Sequence, residues 1–586
     1  MDRCTLPSEL AIDESEPLGD RRAKRWIWFF LAVGVAARLI RYALRFPLWE
    51  DECFLSANFL QRGHLDLAGP LDYFQVCPLG FLWVQLTAVK LLGFNEYALR
   101  LIPLLAGLSS LFLFRHLAGR FLKGTALVFA VGLFSVAYPC TRYSAEAKQY
   151  GVELLVSLVL LTLAVEWWRR PEKTRWLWAL VAFTPVAVWL SYPAVFVCGA
   201  ISLFAAWLLL KTWRSATSGV AAPEAHGLQP VGFTEREVVG FEIVRKPLLS
   251  ITPRGWTAWL VFNLTLAGAL AALYFVSAQH QGAKSLEGMQ RAWGGGFPPM
   301  GEPLKLPGWL LETHTSDLLA YPVGGRNGAS MATFLLCLVG ILLLALRRRW
   351  AVLGLWLGPL ALSLAAAALR RYPYGQMTKF QLFAAPIFCM LAGLGAAVLV
   401  LRPIGGRKVR PVAVRIGLLL LAAIGVGSIG RDFLFPAKSA SVMRARDFAR
   451  WFWFTADYDG EVACLKTDLG ETFSPLTFEW GLSAVYLCNQ RIYSPRHARG
   501  EPVAWERISA ERPLRCVEYR SGGFPYDEAA RDRWLQEMQS RYVLVGRERY
   551  PFAQVRDKNQ VARELDYLEV YKFAPRTLVS PLAARP

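Results

Sequence analysis

The chain has 586 residues, of which 54% are hydrophobic and 19% are charged, and 65 Lys and Arg against 45 Asp and Glu give a net charge of +20. With a mean hydropathy of +0.31, this composition excludes an ordinary soluble globular protein and indicates a protein of the lipid bilayer. The positive charge does not indicate a nucleic-acid partner, because the basic residues form short clusters between apolar runs, as they do in the cytoplasmic loops of membrane proteins.

The chain begins with a polar segment, residues 1–25, that ends in Arg21, Arg22, Lys24 and Arg25 and has no small-residue cleavage site. We therefore predict a cytoplasmic tail. A first membrane span, Trp26 to Leu44, then delivers an outer loop, residues 45–77, to the opposite side of the membrane.

Basic clusters recur between later apolar runs, and we place them in the cytoplasm. Since a span needs about 20 apolar residues, the chain is predicted to cross the membrane eleven times. The predicted spans are residues 26–44, 98–117, 123–140, 149–166, 176–191, 193–211, 255–278, 329–346, 350–369, 381–401 and 412–429.

One further apolar run, Pro78 to Phe94, breaks the alternation of sides, because an odd number of crossings must separate the first outer loop from the basic cluster at Arg115. Of the two apolar runs between these points, residues 78–94 and 98–117, the first is the shorter. We predict a short helix, begun at the proline, that lies in or dips into the outer leaflet.

Three regions have the composition of aqueous segments: a cytoplasmic insertion at residues 212–254, a Gly- and Pro-rich outer loop at 279–328, and residues 430–586. In the last region, alternating runs predict strands at Val462–Leu465, Ala484–Cys488, Tyr542–Val545 and Leu568–Phe573, and an amphipathic pattern predicts a helix at Asp527–Arg541. The predicted fold is an all-α polytopic membrane domain, residues 26–429, followed by a small extracytoplasmic α/β domain.

Three consecutive carboxylates, Glu50, Asp51 and Glu52, follow the first span. Asp51 is suited to cap a helix that Gly63 ends, with an apolar face on the bilayer surface. The alternative is an N-cap with a solvated acidic run and no further role.

A second charged group, Arg142, Glu146 and Lys148, lies between two spans on the same outer side. Arg or Lys at a membrane edge is commonly an anchor that extends to the lipid headgroups. The adjacent Glu146 makes a role as a mere membrane anchor less expected for Arg142 and Lys148. Glu153 is expected to lie near the outer boundary and to extend this charged group.

The third group, Arg370 and Arg371 through Lys379, also lies on the outer side, where basic residues are unexpected. A bound lipid phosphate explains them, because Arg and Lys hold phosphate oxygens through charge-assisted hydrogen bonds. Together the three groups suit group transfer from a lipid phosphate. Phosphate is a weakly basic leaving group, so one carboxylate serves as general base for an incoming hydroxyl while cations hold the departing charge.

The sequence resembles the GT-C membrane glycosyltransferases, and within them the bacterial relatives of protein O-mannosyltransferases and of the aminoarabinose transferase that acts on lipid A. The resemblance covers residues 26–400 or so. Its motifs are LWEDE at 48–52, LDYFQVCP at 71–78, LGFNE at 92–96 with Arg100, YSAEAKQY at 143–150, and Tyr372-Pro373 with Lys379 and Pro386.

This resemblance implies about eleven transmembrane helices and inverting transfer of a sugar from a polyprenyl-phosphate donor to an extracytoplasmic acceptor. It places the general base at Asp51, with Glu52 as the next candidate, and the second acidic position at Glu146. Arg142, Lys148, Arg371 and Lys379 are the expected ligands of the donor phosphate, although many relatives carry Arg where this chain has Lys148 and Lys379. Some members also bind a divalent metal through acidic groups, for which Glu146 is the candidate, and others do not. The implied location is the bacterial inner membrane, with the N-terminus in the cytoplasm and the C-terminal domain outside.

Two rival functions fit the same spans. A transporter or lipid flippase also uses many spans and a basic headgroup site. It leads us to expect a broken helix or ionisable residues at mid-membrane, and paired halves, and neither feature is clear in the sequence. An inactive scaffold that presents the C-terminal domain is the third possibility. Trp293, amid the glycines of the 279–328 loop, is a candidate to stack on a sugar ring or to anchor that loop.

Overall fold

The computed structural model describes residues 19–170, 173–217, 253–323, 329–401, 411–436, 440–458, 462–465, 479–494, 511–521, 528–556 and 562–578. Most of the predicted tail, residues 1–18, and most of the predicted insertion, residues 218–252, lie outside these ranges. The chain divides into two compact units. The first comprises Met1–Leu44, Cys77–Val84 and Arg100–Leu434, and the second comprises Arg45–Val76, Gln85–Leu99 and Phe435–Pro586.

The membrane part of the chain is helical. In chain order, its helices are α1 (Asp20–Ala43), α2 (Glu50–Ser56), α3 (Leu79–Leu92), α4 (Glu96–Ala118), α5 (Gly124–Ser135), α6 (Tyr138–Tyr143), α7 (Tyr150–Arg169), α8 (Arg175–Leu190), α9 (Ala194–Thr217), α10 (Pro253–Leu273), α11 (Gln279–Ala292), α12 (Leu306–Thr315), α13 (Ala329–Leu346), α14 (Trp350–Ala368), α15 (Ala385–Leu401) and α16 (Pro411–Leu434).

Each of the eleven predicted spans overlaps one of these helices. Seven helical segments in the described part of the chain are long and apolar enough to cross a membrane, and the other four spans fall on shorter apolar stretches within α5, α8, α9 and α13. The chain is therefore a multi-pass membrane protein, as its composition indicates. The run after Pro78 forms α3, whose 14 residues rise about 21 Å at 1.5 Å per residue, less than the thickness of the hydrocarbon core.

Helix α15 lies in the interior of the first unit, and most of its residues are buried. It packs closely against α5 at Gly393, where an added Cβ atom would lie 2.6 Å from the backbone nitrogen of Ala130. Small residues permit such approach in membrane bundles, where dispersion contacts hold helices together. This packing fixes the position of Thr378–Ala384, the 3₁₀ turn that leads into α15.

The predicted outer loop at 279–328 contains more structure than expected. Helix α10 continues through a π-helical turn, Tyr274–Ala278, into α11, and α12 follows within the same loop. The polar side chains of α11 signalled the end of a span, but a helix can leave the apolar layer without ending, because its backbone bonds are satisfied internally.

The second unit contains a small α/β domain with α17 (Ala440–Tyr458), β1 (Val462–Leu465), α18 (Glu479–Tyr493), β2 (Leu514–Ser521), α19 (Glu528–Arg541), β3 (Tyr542–Arg556) and β4 (Ala562–Pro575). The strand order is β1-β2-β4-β3. Strands β1 and β2 are parallel, so they need a crossover, and β4 pairs antiparallel with both β2 and β3.

Helix α19 covers one face of this sheet. The Trp534 ring packs edge to face on Tyr571 at 5.3 Å and on Phe573 at 5.8 Å between centroids. Leu514, Cys516 and Met538 complete the buried cluster. The predictions of strands at 462–465, 542–545 and 568–573 and of a helix at 527–541 agree with this domain.

The prediction of a strand at Ala484–Cys488 is wrong, because these residues lie in α18. Ala484, Val485 and Cys488 are buried, and their spacing of one and three residues places them on one face of a helix. A short apolar run is compatible with either element until its neighbours are known.

Candidate active site

Asp51 and Glu52 lie on α2, in the second unit. Trp49, not Asp51, occupies the N-cap position, so the prediction that Asp51 caps this helix is wrong. Glu52 performs that role from the third helical position, since its Oε2 accepts a hydrogen bond from the backbone N–H of Trp49 at 3.3 Å. Three carboxylates in the first turn also complement the positive end of the helix dipole.

The acidic side chains of α2 differ in burial. Glu52 is fully buried, whereas Glu50 and Asp51 are partly exposed. Burial, and then the charge of Asp51, raises the pKa of Glu50. Of the two predicted catalytic carboxylates, Asp51 is therefore the one that an incoming hydroxyl reaches more easily, while Glu52 holds the start of the helix.

The YSAEAKQY segment between α6 and α7 is a tight, buried turn. The Lys148 backbone N–H donates to the Glu146 carbonyl at 2.7 Å, and the Ala145 N–H donates to the Arg142 carbonyl at 3.0 Å. Glu146 is fully buried and Lys148 is 4% exposed. Connecting segments normally run over the surface, so a buried turn with this charge content is a strong functional candidate.

Arg142 and Glu146 form an ion pair within this segment. The Arg142 Nε donates to Glu146 Oε1 at 2.8 Å, and the Arg142 side chain is 20% exposed. Burial alone lowers the pKa of Arg142, but the charge of Glu146 raises that pKa overall to well above its ordinary value. Arg142 is thus a permanent cation that Glu146 holds in place.

Lys379 lies in the turn before α15 and is 4% exposed. Its ammonium nitrogen is 4.6 Å from the ring centroid of Trp293 and 5.6 Å from those of Tyr150 and Phe380. Aromatic faces attract cations most strongly where water is excluded. Trp293, predicted to stack on a sugar or to anchor its loop, here forms part of an aromatic wall around this ammonium group.

The glycine run Gly294–Gly296 brings that wall into position. The backbone N–H of Tyr374 donates to the Gly296 carbonyl at 2.8 Å, and the Trp309 indole N–H donates to the Gly295 carbonyl at 2.9 Å. A Cβ atom at position 296 would lie 3.0 Å from the Gly375 carbonyl oxygen. Glycine suits this position, because a side chain would crowd the neighbouring backbone.

The structure joins the second and third predicted groups through aromatic contacts. The rings of Tyr143 and Tyr150 pack edge to face at 5.2 Å, the Arg142 guanidinium lies 5.4 Å from the Tyr143 ring, and Tyr150 contacts Lys379. Arg371 is exposed, and its side chain forms no hydrogen bond or ion pair with the described residues. It does not share the enclosed setting of Arg142, Lys148 and Lys379.

Residues that the sequence reasoning did not single out as site residues complete this charge distribution. Arg41 interacts electrostatically with Glu146, Arg142 and Arg100, and it pairs with Asp432 near the end of α16. The Tyr138 hydroxyl donates to Asp432 Oδ1 at 3.0 Å. The signal that could have found Arg41 is its position within the first predicted span, because ionisable residues in spans are seldom incidental.

We refer below to five mostly buried cations as the cationic cluster: Arg41, Arg100, Arg142, Lys148 and Lys379. Glu146 pairs with Arg142, and Asp432 pairs with Arg41. Several basic side chains in one buried setting are suited to bind an anion.

Glu146 is the predicted ligand for a divalent metal among the described residues. No group of three or more His, Cys, Asp or Glu among them is arranged to hold an ion, and Glu146 is already committed to Arg142. A carboxylate whose charge is matched by a guanidinium is a poor ligand for a divalent cation.

No protein-family model and no curated protein matches the chain. Solved structures similar to it include ArnT from Cupriavidus metallidurans bound to undecaprenyl phosphate, at 12% sequence identity and a TM-score of 0.48, with 94% of this chain and 98% of that chain covered. They also include the archaeal oligosaccharyltransferase AglB from Archaeoglobus fulgidus, in complex with an inhibitory peptide and a dolichol-phosphate, at 13% identity and a TM-score of 0.39, with 80% of this chain and 65% of that chain covered. Both are GT-C membrane glycosyltransferases, the class that the sequence motifs resemble.

Proposed function

We propose that the chain is an integral membrane glycosyltransferase that moves a sugar from a polyprenyl-phosphate donor to a hydroxyl group of an extracytoplasmic protein, lipid or glycan. The observation that carries this proposal is the cationic cluster, which gathers buried Lys and Arg side chains from α1, α4, the turn between α6 and α7, and the turn before α15.

The buried basic side chains favour an anionic substrate. The cluster brings five cations together in a buried setting, where Glu146 pairs with Arg142 and Asp432 pairs with Arg41. Buried like charges repel one another in a medium of low dielectric constant. A phosphate ester offsets this repulsion, and the apolar isoprenoid chain of a polyprenyl phosphate partitions into the surrounding bilayer.

The proposed reaction is a single displacement at the anomeric carbon, which inverts its configuration. The acceptor oxygen forms a bond to that carbon and gives its proton to the Asp51 carboxylate. The bond between the anomeric carbon and the phosphate oxygen breaks, and its electron pair stays on the polyprenyl phosphate. Lys379, Arg142 and Lys148 stabilise the negative charge that develops there, so no general acid is needed.

The remaining predicted residues have lesser parts in this proposal. Glu146 orients Arg142, and Glu52 fixes the start of α2, on which Asp51 stands. Arg371 is exposed, and an exposed ionic contact with the phosphate contributes about 0–1 kcal/mol.

Sugar transfer measured in membranes or nanodiscs with the Asp51→Asn variant tests the proposal. Asn is close in size and cannot accept the proton, so we expect kcat to fall about 10²- to 10⁴-fold, with donor binding unchanged. Asp66→Asn is the matched control, because Asp66 lies in the same loop and its carboxylate accepts a local hydrogen bond from the Gly63 N–H at 2.8 Å.

Transfer by Asp51→Asn at the rate of the unmodified protein rejects Asp51 as the base. If the unmodified protein consumes no donor but moves polyprenyl phosphate between leaflets of proteoliposomes, the transferase proposal fails and the flippase alternative replaces it. Glu52→Gln is expected to lower the unfolding temperature as well as the rate, which separates its role from that of Asp51.

A further inference from the structure

Glu153 lies in the first turn of α7 and is 3% exposed. Its backbone N–H donates to the Gln149 carbonyl at 2.9 Å. Tyr150, three residues earlier, lies on the same face of the helix, and its ring contacts Lys379. Glu153 therefore faces the interior of the bundle, one helical turn from the cationic cluster.

The Glu153 carboxylate forms no hydrogen bond or ion pair with any described residue. It interacts electrostatically with the phenols of Tyr192 and Tyr372. Both phenols donate elsewhere: Tyr192 to the Cys77 carbonyl at 3.1 Å and Gln281 Oε1 at 3.3 Å, and Tyr372 to the Phe380 carbonyl at 2.9 Å.

Gln149, one turn before Glu153, offers the complementary group. Its side-chain oxygen accepts the Cys77 thiol at 3.7 Å, while its amide N–H groups make no hydrogen bond to a described residue. Gln149 is 8% exposed. Two mostly buried side chains, one turn apart at the start of α7, thus offer an acceptor and a donor that make no hydrogen bond to a described residue.

Burying a carboxylate without a partner is unfavourable by several kcal/mol. Such a group inside a membrane bundle is expected to serve a ligand. The ligand atoms that meet it must donate hydrogen bonds, which excludes the phosphate itself, because a carboxylate repels phosphate oxygens. A sugar meets the requirement through its hydroxyl groups or, in an amino sugar, through an ammonium group.

We propose that Glu153 and Gln149 form the subsite for the sugar of the lipid-linked donor, with Glu153 accepting hydrogen bonds from the sugar's hydroxyl or ammonium groups. This inference rests on the proposed function, since it takes the phosphate to lie at the cationic cluster. Three residues of α-helix separate Tyr150 from Glu153, a rise of about 4.5 Å, which suits a sugar ring attached directly to that phosphate.

Binding measurements on the full-length protein in nanodiscs separate sugar recognition from phosphate recognition. The probes are polyprenyl phosphate and the same lipid carrying a neutral hexose or an aminopentose. We expect the unmodified protein to prefer the sugar-bearing lipids. In Glu153→Gln, affinity for at least one sugar-bearing lipid is expected to fall about tenfold or more, as for loss of a hydrogen bond to a charged group, while affinity for bare polyprenyl phosphate stays within about twofold.

Two further variants serve as a stronger substitution and as a control. Glu153→Met removes every acceptor atom at similar volume, so its loss of sugar affinity is expected to exceed that of Glu153→Gln. Glu166→Gln is the matched control: it is the same substitution at the other end of α7, where Glu166 pairs with Arg120 at 2.5 Å. It is expected to leave the preference for sugar-bearing lipids intact.

The outcomes are distinct. A loss confined to the aminopentose lipid assigns the contact to an ammonium group, and a loss for both sugars assigns it to a shared hydroxyl; either supports the subsite. Equal weakening for bare and sugar-bearing lipids, or no weakening for any, overturns it. If the protein transfers sugar but shows no Glu153-dependent preference for sugar-bearing lipids, the proposed function stands and the subsite is refuted. If it shows that preference but transfers no sugar, the subsite stands and the proposed function is refuted.

Discussion

Lys379 provides the most direct test of phosphate binding, because burial strengthens the electrostatic interaction of its ammonium group with an anion. We consider Lys379→Met, which keeps the length of the side chain and its contact with the aromatic wall but removes the ammonium group. A hydrogen bond from a charged donor contributes about 1.5–3 kcal/mol. The affinity for polyprenyl phosphate is therefore expected to fall about 10- to 150-fold.

The same substitution is expected to change the stability of the lipid-free protein much less. It removes cation–π contacts worth about 0.5–2 kcal/mol where desolvated, but it also relieves repulsion from Arg142 and the other cations of the cluster. These two effects oppose one another. The loss therefore appears mainly in the ligand-induced increase of stability.

Thermal unfolding in nanodiscs with added polyprenyl phosphate measures that increase. A ligand at 100 times its Kd stabilises a protein by about 2.7 kcal/mol. A variant that binds 100-fold more weakly gains only about 0.4 kcal/mol at the same lipid concentration, by the same relation. Lys305→Met is the control, because the Lys305 side chain is 68% exposed and pairs with Glu302. A full ligand-induced shift in Lys379→Met would refute the reasoning.

Four other predictions follow from single contacts. Arg371→Ala is expected to weaken donor binding by less than about fivefold, the limit for an exposed ion pair; a loss as large as that of Lys379→Met in the same titration contradicts it. Asp432→Asn removes the carboxylate that pairs with Arg41 and is expected to lower the unfolding temperature strongly, by the equivalent of about 3–5 kcal/mol. The exchange of Arg41 and Asp432 is expected to restore part of that stability; no recovery in the exchanged protein argues against the pair. Burial lowers the pKa of His314, although its hydrogen bond with the Leu310 carbonyl opposes this shift. The folded state then binds fewer protons than the unfolded state, so the stability of the protein falls as the pH drops below about 6.5. His314→Gln is expected to flatten this dependence of stability on pH in unfolding scans between pH 5 and 8. Cysteine introduced at Leu304, which is 97% exposed, should react with an impermeant maleimide in intact cells, and cysteine at exposed Arg348 only after lysis; the reverse pattern refutes the predicted sidedness.

The membrane helices were largely predictable from the sequence, because lipid forces a simple rule on the chain. Every backbone group in the hydrocarbon must be paired within its segment, so a long apolar run such as that in α16 has one stable form. The rule weakens where the chain leaves the lipid. Helix α11 continues through polar residues, and the apolar run at Ala484–Cys488 becomes helical through packing that its own sequence does not specify.

The candidate site was predictable in its residue types but not in its partnerships. Charged side chains between apolar runs marked Arg142, Glu146 and Lys148, and basic residues on the unexpected side marked Lys379. The contact of Trp293 with Lys379 joins positions 86 residues apart in the sequence, and no local pattern encodes it. The distinction between exposed Arg371 and buried Lys379, eight positions apart, likewise depends on the fold.

The electrostatic asymmetry along α7 gives the site a direction. At the start of this helix, Tyr150 contacts the ammonium group of Lys379, and the preceding turn carries Arg142 and Lys148. One turn further along, Glu153 presents a carboxylate with no partner among the described residues. An anion is attracted to the first position and repelled from the second, whereas a hydroxyl or an ammonium group favours the second. A sugar phosphate combines both chemistries in adjacent groups, so only one orientation places each beside its complement. The two interactions are then coupled, because a donor seated in reverse forfeits both at once.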